Sequence, residues 1–126
     1  MKRLMLLGAS GSIGTQTIDV VLQHPDEFSL VGISVGHRID VLKEILNKIH
    51  VSHVCVCEEK DMKELAAQYP DIHFYYGDDG LITLAKMKEY DLLVNALVGF
   101  VGFLPTLNAI QAGHHIALAN KETLVV

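Results

Sequence analysis

Short hydrophobic runs alternate with longer amphipathic stretches along the chain. Nearly continuous runs occur at residues 3–7, 30–35, 54–57, 92–96 and 116–119, and a weaker run occurs at residues 72–76. A strand covered by helices on both faces needs such a run, because neither face meets water. The strong runs therefore predict buried strands of a parallel sheet, and the weaker run predicts an edge strand.

Between these runs, apolar residues recur at the spacing of amphipathic helices. The predicted apolar stripes are Ile18, Val21 and Leu22; Leu42, Ile45, Leu46 and Ile49; and Met62, Leu65, Ala66 and Tyr69. Shorter helices are predicted around residues 81–85 and 105–112, and the Asp-Asp-Gly segment at 78–80 predicts a turn. Strands that alternate with helices predict an α/β fold, a Rossmann-type, doubly wound, mostly parallel sheet in three layers.

The length and composition favour one domain over residues 1–126. The 126 residues are 50% hydrophobic, enough for a core but few for a complete two-substrate oxidoreductase. A further helix predicted from Asn120 stops at Val126 on three apolar residues, which would leave half an element exposed. We therefore expect a truncated domain of a longer protein.

The charge and the hydrophobic runs exclude several classes of partner. The formal net charge is −5, and the ten Lys and Arg residues are scattered, so no basic surface for nucleic acid is expected. The first apolar run ends at Gly8, too early for a signal peptide, and no run could span a bilayer. A soluble, cytoplasmic protein without a membrane partner is expected.

The two cysteines and seven histidines do not indicate a metal site. Cys55 and Cys57 are expected on the same face of one strand, as small apolar residues rather than a disulfide or zinc ligands. The histidines are dispersed and lack ligand spacing.

A glycine-rich segment follows the first strand and opens the first helical stripe. Its sequence at residues 8–14 is Gly-Ala-Ser-Gly-Ser-Ile-Gly. Glycines allow a sharp turn and close approach of a pyrophosphate, which the N–H groups of the first helical turn attract. The spacing has one more residue than the usual dinucleotide fingerprint, and Ser10 or Ser12 could add a hydroxyl donor.

Two alternative interpretations of this glycine-rich segment exist, a structural turn and a phosphotransferase loop, and the second is disfavoured. The glycines could serve only a tight strand-to-helix turn. A phosphotransferase loop would require a lysine before the final Ser or Thr, whereas Gly14 precedes Thr15 directly.

The end of the second strand bears on the choice of cofactor. NAD-selective sites usually place an acid about 20 residues beyond the glycines, where it binds the ribose 2′-hydroxyl. Here Gly36, His37 and Arg38 follow the strand, and Arg38 could pair with a 2′-phosphate. We predict NADP(H) over NAD(H), although Arg38 could instead be a solvated surface residue with Asp40 close by.

Two later segments reach the same carboxyl edge of the predicted sheet. Residues 95–99 end a strand in a glycine-rich loop, which is either part of the site or a simple turn. Asn120, Lys121 and Glu122 bring an amide, a cation and a carboxylate near the expected nicotinamide end, but such a trio can also be a solvated helix start.

The chain resembles the 1-deoxy-D-xylulose 5-phosphate reductoisomerase family. Leu-Gly-Ala-Ser-Gly-Ser-Ile-Gly at residues 7–14 and Leu-Ala-Asn-Lys-Glu-Thr-Leu-Val at 118–125 carry the resemblance, with Pro-Thr-Leu at 105–107 and Ala-Ile at 109–110. The resemblance covers essentially the whole chain, and the Leu-Ala-Asn-Lys-Glu motif is more specific than the glycine turn. It implies an oxidoreductase that uses NADPH and a divalent metal, Mg²⁺ or Mn²⁺.

The resemblance also implies a substrate and a role for each matching residue. The family converts 1-deoxy-D-xylulose 5-phosphate, a sugar phosphate, to 2-C-methyl-D-erythritol 4-phosphate in non-mevalonate isoprenoid biosynthesis, and a homodimer is expected. The implied contacts are the pyrophosphate with Gly8, Ser10, Gly11, Ser12 and Ile13; the ribose phosphate with Gly36, His37 and Arg38; the nicotinamide side with Asn120 and Glu122; and the substrate with Lys121.

Two departures from the family pattern are visible. Thr is common where Ser10 stands, and Lys-Asn or Arg-Asn is usual where His37 and Arg38 stand, which leaves the ribose contacts open. No catalytic residue and no metal ligand is expected among these residues, so the isolated chain should bind cofactor without turnover. The alternatives are a non-catalytic NADP(H)-sensing module and the cofactor domain of another NADP-dependent dehydrogenase.

Overall fold

The computed structural model describes residues 2–96 and the backbone of residues 115–118. Strands and helices alternate along the described chain. They are β1 (Lys2–Leu7), α1 (Ser12–Gln23), β2 (Phe28–Ser34), α2 (Ile39–Lys48), β3 (His53–Val56), α3 (Glu59–Gln68), β4 (His73–Tyr76), α4 (Gly77–Lys86), β5 (Leu92–Asn95) and β6 (His115–Leu118). The helix predicted at residues 105–112 lies outside the described residues.

The described strands form one six-stranded sheet in the order β4-β3-β2-β1-β5-β6. Every neighbouring pair is parallel. The chain runs outward from β1 to β4, which lies at an edge as the weaker run predicted, and then returns to the other side of β1 with β5. Ligands of such sheets bind where the strand order reverses, beyond the carboxyl ends of the strands. The reversal lies between β1 and β5.

Two hydrophobic clusters cover the two faces of the sheet and make three layers. Alternate residues of β1 divide between them, since successive strand side chains point to opposite faces. Leu4 and Leu6 lie in one cluster with residues of α1, α2 and α3. Met5 and Leu7 lie in the other with residues of α4. The predicted Rossmann-type, doubly wound fold is confirmed.

An ion pair joins the amino ends of β1 and β5. Arg3 Nη2 and Asp91 Oδ1 are 3.1 Å apart, and the backbone N–H of Arg3 donates to Asp91 Oδ2 at 2.9 Å. These hydrogen bonds from Arg3 lower the pKa of Asp91 to about 2. The contact aligns the two strands between which the chain order reverses.

Two details of the predicted helices are wrong. Ile18 and Val21 are buried, but Leu22 is 39% exposed, because it lies beyond the strip of α1 that faces the sheet. The segment at 78–80, predicted as a turn, forms the first turn of α4. Its two aspartates suit a helix N-terminus. A Cβ on Gly80 would lie 2.7 Å from Cys55 Sγ, so this glycine allows close packing rather than a turn.

The prediction for the cysteines holds for only one of them. Cys55 is buried in β3, whereas β3 ends at Val56 and leaves Cys57 exposed beyond the strand. Both thiols are free. Burial raises the pKa of Cys55 to about 12. Because the thiolate is the reactive form of cysteine, the two residues should differ sharply in reactivity.

We expect a thiol reagent at neutral pH to modify Cys57 rapidly and Cys55 only after unfolding. Absorbance after adding an aromatic disulfide reagent should show one fast equivalent in the native protein and two in urea. In the Cys57→Ser variant the fast equivalent should disappear, with Cys55→Ser as the matched control that retains it. Two fast equivalents in the native wild type would contradict the burial of Cys55.

No helix in the described part of the chain is long and apolar enough to cross a membrane.

Candidate dinucleotide-binding site

A tight loop connects the carboxyl end of β1 to the first turn of α1. Gly8 has a φ of +88°, a conformation that residues with a Cβ rarely adopt. Ala9 is completely buried, and Ser10 is half-buried. Gly11 is the N-cap of α1, with its N–H 3.4 Å from the carbonyl oxygen of Gly8. The loop therefore folds back on itself immediately before the helix.

The third glycine allows α1 to lie directly against this loop. A Cβ on Gly14 would overlap the carbonyl oxygen of Gly8 and would lie 2.7 Å from Ala9 Cα. The atoms it would meet are backbone atoms, which cannot rotate away. Gly14 is therefore the glycine required for close helix packing in a dinucleotide fold.

The N-terminus of α1 suits an anion. Its N-cap, Gly11, forms no side-chain cap, and no acidic residue lies in the first turn. The N–H groups of Ser12, Ile13 and Gly14 belong to the first turn, where a helix offers no acceptor of its own. The helix dipole adds partial positive charge at the same point. A phosphate group could therefore be accommodated at this helix end, and its binding there stays a prediction.

Ser34 is the last residue of β2 and contacts the β1–α1 loop at residues 8–11, the glycine loop, from the side. The N–H of Gly8 donates to Ser34 Oγ at 2.9 Å, and the N–H of Ala9 donates to the Ser34 carbonyl oxygen at 2.7 Å. Ser34 is buried, with 2% of its surface exposed. Its contact with the loop was not predicted, and the available signal was a single polar residue in the otherwise apolar run at residues 30–35.

The predicted ribose contacts lie in the loop that follows β2. Gly36, His37 and Arg38 are all exposed, and a Cβ on Gly36 would meet nothing within 4 Å. Arg38 Nε is 3.4 Å from Asp40 Oδ1, with 63% and 73% of the two side chains exposed. The hydrogen bond from Arg38 lowers the pKa of Asp40. The guanidinium is thus accessible, but a carboxylate already stands beside it.

The end of β5 lies beside the end of β1. Asn95 is buried and pairs with Leu7, and the N–H of Ala96 donates to the Leu7 carbonyl oxygen at 2.8 Å. The structure therefore brings this strand end next to the glycine loop. The remainder of the 95–99 segment lies outside the described residues. So do Asn120, Lys121 and Glu122, whose convergence on the site stays a prediction.

Not every cleft of the described region belongs to this site. One cleft lies at the amino ends of the strands, where Arg3, Phe28 and His50 contribute to its lining. It is at the opposite end of the sheet from the edge where parallel sheets bind ligands. Within residues 2–96, no cluster of His, Cys, Asp and Glu side chains is arranged to hold a metal ion.

The family model of 1-deoxy-D-xylulose 5-phosphate reductoisomerase matches residues 4–126. The chain belongs to this family. Among its curated relatives, a 1-deoxy-D-xylulose 5-phosphate reductoisomerase from Geobacillus sp. (strain WCH70) is 48% identical over 126 residues, and one from Listeria innocua is 46% identical over 125. Each alignment covers 99% of this chain and 33% of the relative. The chain thus spans about a third of the length of these reductoisomerases.

Solved reductoisomerases share the fold. The enzyme from Zymomonas mobilis in complex with NADPH superposes with a TM-score of 0.86 at 26% identity, covering 98% of this chain and 33% of that one. A second reductoisomerase, in complex with NADPH, fosmidomycin and magnesium, gives a TM-score of 0.91 at 34% identity and covers 98% and 31%. The resemblance found in the sequence motifs is confirmed.

Proposed function

We propose that residues 1–126 form the NADP(H)-binding domain of a 1-deoxy-D-xylulose 5-phosphate reductoisomerase. The observation that carries this proposal is the tight packing of the β1–α1 loop against the N-terminus of α1. Gly8 turns the chain at positive φ, and Gly14 lets α1 approach the loop closely. The helix N-terminus has no side-chain cap. Related reductoisomerases have been solved with NADPH. The complete enzyme would convert 1-deoxy-D-xylulose 5-phosphate to 2-C-methyl-D-erythritol 4-phosphate.

The proposed contacts divide the cofactor between two loops. The pyrophosphate would lie against the loop and first helical turn formed by Gly8, Ser10, Gly11, Ser12 and Ile13. Main-chain N–H groups would neutralise it, since the positive end of the α1 dipole lies there and the first-turn N–H groups have no acceptor within the helix. The open space at Gly36 would take the adenosine ribose, with His37 and Arg38 at the 2′-phosphate.

The nicotinamide end is proposed from the family motif alone. Asn120 and Glu122 would contact the nicotinamide side of the cofactor, and Lys121 would contact the sugar phosphate substrate. When bound, NADPH supplies the hydride for the reduction. We place no catalytic residue and no metal ligand within the 126 residues, so a divalent metal, Mg²⁺ or Mn²⁺, would be held elsewhere in the complete enzyme.

The location, oligomeric state and partners of the complete enzyme are also proposed. We propose that it is cytoplasmic, as the short hydrophobic runs indicate, and that it is a homodimer, as the family resemblance implies. Nucleic acid is not proposed as a partner, since the net charge of −5 and the scattered basic residues offer no surface for it.

Titration with NADPH tests the proposed function. We expect the nicotinamide fluorescence to change saturably as the protein binds the cofactor, and excess NADP⁺ to reverse the change by competition. The Gly14→Ala variant, in which the added Cβ would separate α1 from the loop, provides the negative control. A wild-type protein that shows no saturable change at millimolar NADPH would contradict the proposal.

A further inference from the structure

Ser34 is a buried polar residue whose two oxygen atoms both accept hydrogen bonds from the glycine loop. Oγ accepts from Gly8, and the carbonyl oxygen accepts from Ala9. The two donors are consecutive in the loop, so the contact restrains its orientation as well as its distance from β2. Gly8 is also the residue at which the loop turns through positive φ.

The strand that carries Ser34 is itself held in the sheet. The N–H of Val35 donates to the Cys55 carbonyl oxygen at 2.9 Å, so the chain remains attached to β3 just beyond Ser34. The exposed loop of Gly36, His37 and Arg38, which is proposed to contact the ribose and its 2′-phosphate, begins immediately afterwards. Ser34 therefore connects the loop assigned to the pyrophosphate with the loop assigned to the 2′-phosphate.

We propose that Ser34 is a positioning residue for the cofactor, which sets the separation between the two phosphate-binding loops through the Ser34 Oγ to Gly8 N–H hydrogen bond. This inference rests on the proposed function. Ser34 itself does not need to touch NADPH. Its role is to keep the glycine loop in the shape that binds pyrophosphate, because small misplacements in a preorganised site weaken binding.

The Ser34→Ala variant removes the hydroxyl and leaves the Gly8 N–H without this acceptor. We expect the Kd for NADPH to rise about 10-fold, because a loop that is no longer restrained must be ordered when the cofactor binds. Adenosine 2′-monophosphate has the 2′-phosphate but no pyrophosphate, so its Kd should change less than about 2-fold. Ser34→Thr, which retains the hydroxyl, should restore NADPH binding.

Two comparisons separate positioning from general stability. Ser29→Ala removes a hydroxyl from the other end of β2 and should leave both affinities unchanged. Ser34→Thr and Ser34→Val differ in the hydroxyl but have similar shapes, so this pair replaces the alanine variant if it fails to fold. We expect the valine variant to bind NADPH about 10-fold more weakly than the threonine variant.

Calorimetric titration of the 126-residue chain with both ligands gives outcomes that can be told apart. Selective weakening of NADPH supports the positioning role. Equal weakening of both ligands, or no weakening of either, overturns it while leaving the proposed function intact. A wild-type protein that binds neither ligand overturns the proposed function and this inference together.

Discussion

The Gly14→Ala variant should lose NADPH binding and about 3 kcal/mol of folding free energy. A Cβ at this position would overlap the carbonyl oxygen of Gly8 and press on Ala9 Cα at 2.7 Å. Both are backbone atoms, so the clash can be relieved only by moving α1 or the loop. Either movement separates the helix N-terminus from the turn at Gly8, and the proposed phosphate site depends on the two being together.

Gly11→Ala is the matched control for folding stability. At Gly11 the added Cβ would lie 3.8 Å from the Gly8 carbonyl oxygen, an ordinary contact, and the φ of −81° suits alanine. Its free energy of unfolding should therefore stay within about 1 kcal/mol of the wild-type value, since the entropy gained by replacing glycine offsets the loss of a favoured N-cap residue. Urea denaturation would measure both variants, and NADPH fluorescence would report binding. A Gly14→Ala protein with wild-type stability would show that α1 does not pack as the structure has it.

Arg38→Ala should weaken NADPH binding by about 10- to 100-fold and leave NADH binding almost unchanged. The two cofactors differ by the 2′-phosphate, and Arg38 is the guanidinium in the loop after β2 where that group is proposed to lie. Its side chain is 63% exposed, so it can reach a ligand without unfolding its surroundings. Competition binding with NADPH and NADH would measure the preference.

Removing the charge of Asp40 should change the NADPH affinity in the opposite direction. Its carboxylate holds Arg38 Nε at 3.4 Å and carries a negative charge close to the proposed phosphate. Asp40→Asn should therefore strengthen NADPH binding, by up to about 5-fold because exposed ion pairs are weak. Lys43→Ala, which removes an exposed cation from the same helix, should leave the preference unchanged. An unaltered NADPH to NADH ratio in Arg38→Ala would remove Arg38 from the proposed site.

Much of the fold could be predicted because hydrophobic periodicity reports burial locally. The runs at residues 3–7 and 92–96 became adjacent strands, and the weaker run at 72–76 became the edge strand β4. The glycine pattern likewise located the β1–α1 loop, since its position between a strand and a helical stripe is visible in the chain itself. The residues proposed to contact the cofactor stay predictions until binding is measured.

The order and type of the elements, and the family, were determined by the sequence alone, because each depends on residues that are close along the chain. The tertiary structure decided what depends on distant neighbours. Position 80 of α4 requires glycine because Cys55 leaves no room for a Cβ, and Cys57 is exposed because β3 stops one residue earlier. Ser34 holds Gly8 across 26 positions, a contact set by the pairing of β1 and β2. The periodicity of nearby residues does not report which distant strands pair, so only the assembled sheet could show this contact.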